Sequence, residues 1–161
     1  MTRDELLAAR TAAWPEADRT AVAEVVAALR PSPRHLADVL DWLDDIAARD
    51  GTRAAAVLAA PTLRAALAAR GSAPDRLKRW KEALRRLRYP RLAAREGEFG
   101  AAVRALDLGR AVTIVPPAGL EGGTLSVTIR AASADELAAA LDRLEQCRRA
   151  GALVRLFDLL A

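Results

Sequence analysis

Few residues in this chain are of types that do covalent chemistry, and those few are scattered. His35 is the only histidine and Cys147 the only cysteine. A structural zinc site draws four ligands from closely spaced cysteines and histidines, so this pair is no zinc signature. A Cys–His nucleophile would need the two to meet from distant parts of the chain. Cys147 instead falls near the inward face of a helical pattern, which predicts a packed thiol. Asp38, Asp41 and Asp45 share one helical face, with Asp44 and Asp50 nearby. No loop of EF-hand spacing accompanies them, and they predict a solvated acidic face. Gly119-Leu-Glu-Gly-Gly123 lacks the Gly-Lys-Ser/Thr ending of a P-loop and leads into a strand, whereas a phosphate loop leads into a helix. It reads as a hairpin connection. There is no Gly-x-Ser-x-Gly elbow and no His-Glu-x-x-His pair. These residues predict a protein that is not an enzyme and uses no cofactor or metal.

The chemistry that the sequence does concentrate is positive charge. Residues 76–95 hold nine Lys or Arg and one acid, Glu82, while the segments before and after are each net −2. The chain's net charge of +4 therefore arises in one stretch. Arg76, Lys78, Arg79, Lys81, Arg85, Arg86 and Arg88 surround an apolar stripe of Leu77, Trp80, Leu84 and Leu87, with Arg91 just beyond. Clustered cations of this kind neutralise nucleic-acid phosphates and release counterions. Two other readings stand beside that one. The cations could pair with the acidic helix over 38–50, or form a solvated face. The apolar stripe suits a core better than a lipid surface, and no run approaches the ~18 apolar residues of a membrane span.

Helical periodicity and punctuation predict the elements that position these residues. Short helices are expected over 4–13, 52–59 and 61–70, and longer ones over 16–30, 33–49, 74–88 and 91–107. Ser32-Pro33 and Pro61 mark helix starts, and Gly51 marks an end. Gly71-Ser72-Ala73-Pro74 reads as a connector. The period then changes. Ala111–Val115 and Thr124–Arg130 read as strands, the second with Leu125, Val127 and Ile129 on one face. Ser133-Ala-Asp-Glu136 has the form of a capping box. It opens a helix over 134–149 with Leu137, Ala140, Leu141 and Leu144 inward. A final short helix carries a stripe of Leu153, Leu156, Phe157 and Leu160. Trp14, Trp42 and Trp80 are spaced as core anchors.

Residues 91–149 run helix, strand, long turn, strand, serine-capped helix. The stretch carrying Leu125, Val127, Ile129, Ser133, Leu137, Leu141 and Leu144 resembles the C-terminal dimerisation segment of ParB-type chromosome-partition proteins. That resemblance implies a homodimer formed through the strands and last helices, with non-specific DNA binding on a basic face. The polar strand face here carries Arg130 and no lysine.

The expected fold is mostly α with one β-hairpin (α+β). A helical N-terminal part over 1–72 precedes a part over 73–161, made of the basic helix, an αββα unit and a final short helix. The expected function is non-enzymatic nucleic-acid binding of low sequence specificity, DNA before RNA, by a homodimer. A protein-interaction module or assembly subunit, with an acidic protein partner, is the alternative. The N-terminus MTRDELLAAR carries acids and no apolar h-region, so no signal peptide is expected and the cytoplasm is the expected location.

Overall fold

The computed structural model describes residues 1–160. Its helices are α1 (Arg3–Thr11), α2 (Glu16–Leu29), α3 (Pro33–Asp50), α4 (Ala54–Leu58), α5 (Pro61–Ala68), α6 (Ala73–Arg88), α7 (Pro90–Ala105), α8 (Ala134–Arg149) and α9 (Val154–Asp158). One antiparallel hairpin, β1 (Val112–Val115) and β2 (Ser126–Ile129), lies between α7 and α8. The fold is thus mostly helical with one hairpin. The chain divides into two compact units, Met1–Tyr89 and Pro90–Ala161.

Local chemistry accounts for the helix ends of the first unit. Thr2 and Glu5 form a reciprocal capping box, with Glu5 N–H donating to Thr2 Oγ1 at 3.2 Å and Thr2 N–H to Glu5 Oε2 at 2.8 Å. Ser32 caps α3, and Pro33 follows in its first turn. Ser72 caps α6 in the same way. Gly51 closes α3 in the left-handed conformation that glycine adopts easily. Arg30 closes α2 in that conformation without being glycine (φ 47°).

Leu29, Leu36, Leu40, Leu43, Leu63, Trp80 and Leu84 are almost fully buried in one core. Both of α6's central apolar residues, Trp80 and Leu84, belong to it. This places α6 in the first unit, so the division falls at Tyr89/Pro90 rather than at the Gly71–Pro74 connector. A connector rich in Gly and Pro separates helices. It need not separate cores. Asp18 is also buried here, and its Oδ1 accepts from Ala55 N–H at 2.8 Å, capping the short α4 from a different helix.

The second unit has its own core of Phe99, Leu108, Val112, Ile114, Leu120, Ala140, Leu156 and Leu160. Val112 opposes Ile129, and Ile114 opposes Val127. Ser133 Oγ accepts from Glu136 N–H at 3.2 Å, but the Glu136 carboxylate takes the N–H of Ala132 at 2.7 Å. The box has slipped by one residue. The Cys147 thiol donates to Leu106 C=O at 3.5 Å and packs against this core. One apolar expectation needs correction. Leu137 and Leu141 are 43% and 50% exposed, so the inward line of α8 is Ala140, Leu144 and Cys147. Phe157 is exposed although Leu156 and Leu160 are buried. Val127 is half exposed on β2. Period identifies an apolar stripe, but the width actually covered depends on what packs there.

Candidate nucleic-acid interface

The eight cations singled out by the sequence divide between the two units. Seven lie on α6, while Arg91 lies at the start of α7, exposed and without an ion pair among the described residues. The seven on α6 then separate by what they touch.

Two of them serve the backbone. Arg76 Nη2 donates to Leu67 C=O at 3.0 Å, and Arg79 Nη2 donates to Arg70 C=O at 2.5 Å. Both carbonyls lie at or just past the end of α5, where they have no helical partner. The guanidinium of Arg76 is turned inward, and its Nε is buried without a partner.

Two others bind the acidic helix. Lys81 Nζ donates to Asp38 Oδ2 at 2.8 Å and approaches His35 Nδ1 at 3.2 Å. Arg88 pairs with Asp45 at 2.5 Å. Both cations lie over the Trp42 ring, Lys81 Nζ at 5.1 Å and the Arg88 guanidinium at 5.7 Å from its centroid. Arg49 adds a donation to Arg88 C=O at 2.7 Å. The hydrogen bond from Lys81, with its charge, holds the Asp38 carboxyl below its ordinary value despite some desolvation. Lys81 is only 17% exposed. The pairing of basic and acidic helices, one of the readings left open by the sequence, therefore describes Lys81 and Arg88.

Arg85 and Arg86 turn to their own helix. Arg85 clasps Glu82 through Nε and Nη2, each at 2.9 Å, and Arg86 Nε reaches the same carboxylate at 3.1 Å. These bonds, Arg85's first, keep the Glu82 carboxyl below its usual range. Arg86 nevertheless remains 65% exposed. Lys78 is exposed and makes no hydrogen bond or ion pair among the described residues. Lys78, Arg79 and Arg86 are thus the α6 cations at the surface.

Lys78 and Glu82 also stand on a ridge between two hollows of the first unit. One, of about 780 Å³, is bordered by Asp75, Arg79 and Arg86. The other, of about 730 Å³, is a groove walled mainly by Leu29, Trp42, Pro74 and Leu77. Arg30, His35, Lys81 and Arg85 line it as well. No motif in the sequence marks this groove. His35 is a lone histidine there, and Arg30 shows no pattern beyond ending a helix without glycine.

Among the described residues no three His, Cys, Asp or Glu side chains gather as a metal site requires. No helix of the described residues is long and apolar enough to cross a membrane. No protein-family model matches the chain, and no curated protein or solved structure matches it either.

Proposed function

We propose that this protein is a non-enzymatic nucleic-acid-binding protein of low sequence specificity, with α6 as its phosphate-contacting element. One observation carries the proposal. The first unit holds 16 Lys or Arg against 12 acids, whereas the second holds nine of each, so the whole positive excess belongs to the unit built around α6. Lys78, Arg79 and Arg86 carry that excess to the surface, and the ion-paired Lys81 and Arg88 fix the helix beneath them. Charge contacts to phosphate position a protein on a strand without reading bases, hence low specificity. DNA is favoured over RNA by the resemblance of residues 91–149 alone. The cytoplasm is the proposed location.

The same reading has the protein act as a homodimer. The hairpin leaves the outer edge of each strand without a partner among the described residues, and Val127, Leu137 and Leu141 are exposed in the same unit. Titrating labelled DNA with protein at several salt concentrations tests the binding. A log K that falls steeply with log salt is expected. Absence of binding at low salt would end the reading.

A second reading, a protein-interaction module, is favoured by the exposed Val154 and Phe157 on α9 together with Leu137 and Leu141. It predicts partner capture that does not depend on Lys78 or Arg86.

A further inference from the structure

The groove of the first unit, of about 730 Å³, is lined by α6 from Ala73 to Arg85. That is more than three helical turns, or about 18 Å. Much of its polar lining is already engaged. Lys81 is paired with Asp38, Arg85 clasps Glu82, and Lys81 and Arg88 lie over the Trp42 ring. What remains for an occupant is an apolar wall of Leu29, Pro74 and Leu77 and two cations, Arg30 and Lys78. Both cations are exposed, and neither makes a hydrogen bond or ion pair among the described residues. Glu82 is the one acid in the lining, and Arg85 and Arg86 neutralise it.

Shape and charge together select the occupant. The groove is open to solvent, so it covers one side of whatever lies in it. A wholly apolar ligand would leave its other side in water. A small anion would meet a cation and leave the apolar wall bare. An amphipathic helix is two-sided in the required way. It buries aliphatic residues at i, i+3, i+4 and i+7 and keeps its polar face in water. Three turns of such a helix match the length of the groove. Unmatched Arg30 and Lys78 call for acids beside its apolar stripe, since a basic helix would bring like charges together.

We propose that this groove docks an acidic amphipathic helix of another protein, about three turns long. Its aliphatic residues pack on Leu29, Pro74 and Leu77, and its carboxylates face Arg30 and Lys78. The proposal does not rest on the nucleic-acid reading. It concerns the first unit, whereas the exposed apolar residues of α8 and α9 belong to the second.

Two substitutions alter the groove without threatening the fold. Arg30 ends α2 at φ 47°, a conformation in which glycine is the usual residue. Arg30→Gly therefore removes a cation while easing the backbone. Pro74 is exposed in the first turn of α6, where a negative charge favours the helix. Pro74→Glu therefore replaces part of the apolar wall with a charge that repels acids.

The experiment selects displayed random peptides, each long enough for four helical turns, on the full chain. Enriched peptides are then titrated by fluorescence anisotropy against the wild type and the variants. The expected result is a group of peptides carrying Asp or Glu beside aliphatic residues at helical spacing, with micromolar affinity that falls as salt rises. Arg30→Gly with Lys78→Gln should weaken them about tenfold, as the loss of two exposed charge pairs would. Pro74→Glu should weaken them by a similar factor, and all variants should melt within a few degrees of the wild type. Failure to enrich any peptide that both Arg30→Gly and Pro74→Glu weaken would overturn the proposal. So would groove-dependent peptides that are basic or lack helical spacing. Decanoate that binds in an Arg30-dependent way where no peptide does would assign the groove to a small amphiphile and overturn it too.

Discussion

Lys81 Nζ donates to Asp38 Oδ2 at 2.8 Å, so the most basic helix of the chain is tied to the most acidic one. The pair is unequal in exposure, 17% for Lys81 and 43% for Asp38. Solvent screens the acid, so the pair contributes about 0.5–1 kcal/mol, in the upper part of the range for surface pairs. A double-mutant cycle with Lys81→Met and Asp38→Asn should return a coupling of that size by urea denaturation. A coupling near zero would show that Trp42 packing, and not the ion pair, holds α6 to α3.

The acid limb of stability follows from the same contacts. The carboxyls of Asp38 and Glu82 are held below their ordinary values of 3.8 and 4.5 in the folded protein. The unfolded chain therefore takes up protons first as pH falls. The stability these groups add is fully present above about pH 4.5 and is lost as pH drops through the lowered folded values. Urea midpoints should be flat from neutrality to that point with respect to these two groups, then fall. Asp38→Asn should make the fall shallower. An unchanged slope in that variant would remove Asp38 from the explanation.

Asp18 is a polar residue inside a core, and its value lies in one bond to Ala55 N–H at 2.8 Å. Asp18→Ala should destabilise the first unit by about 1–2 kcal/mol, since α4 loses its cap and a donor loses its partner. Asp18→Asn keeps an acceptor and should cost less. Equal losses in the two variants would argue that the negative charge, not the hydrogen bond, matters.

Leu137 and Leu141 are four residues apart on α8 and both exposed. If they pair two copies, light scattering should give twice the chain mass of 17.2 kDa. Leu137→Asp with Leu141→Asp should then return the single mass without lowering the melting temperature of the monomer. A wild-type chain that is monomeric at high concentration would contradict the dimer.

Helix positions were largely legible because proline, serine and glycine punctuate this sequence. Ser32-Pro33, Pro61, Ser72 and Ser133 each sit at a helix start, and Gly51 sits at an end. The hairpin was legible from the change of period at Ala111. What periodicity could not show is depth. Leu137 and Leu141 fit the helical stripe as well as Leu144 does, yet only Leu144 packs on the core. Charge was legible as a run but not as a network. The sum over residues 76–95 gives no sign that Arg76 turns to Leu67 C=O or that Arg88 pairs with Asp45. Those bonds depend on which helices lie beside α6. The groove depends on three helices meeting, and local pattern does not encode that.

Neutralising Lys78 and Arg86 together is the most direct test of α6 as a phosphate-contacting helix. Both are exposed, and neither belongs to the core or to the pairs with Asp38 and Asp45. Lys78→Gln with Arg86→Gln should leave the melting temperature within a few degrees of wild type. Binding to labelled DNA should weaken, and the slope of log K against log salt should flatten by about one for each phosphate that is no longer neutralised. An unchanged affinity and slope, in a wild type that does bind, would place the phosphate-binding residues elsewhere and contradict the role given to α6.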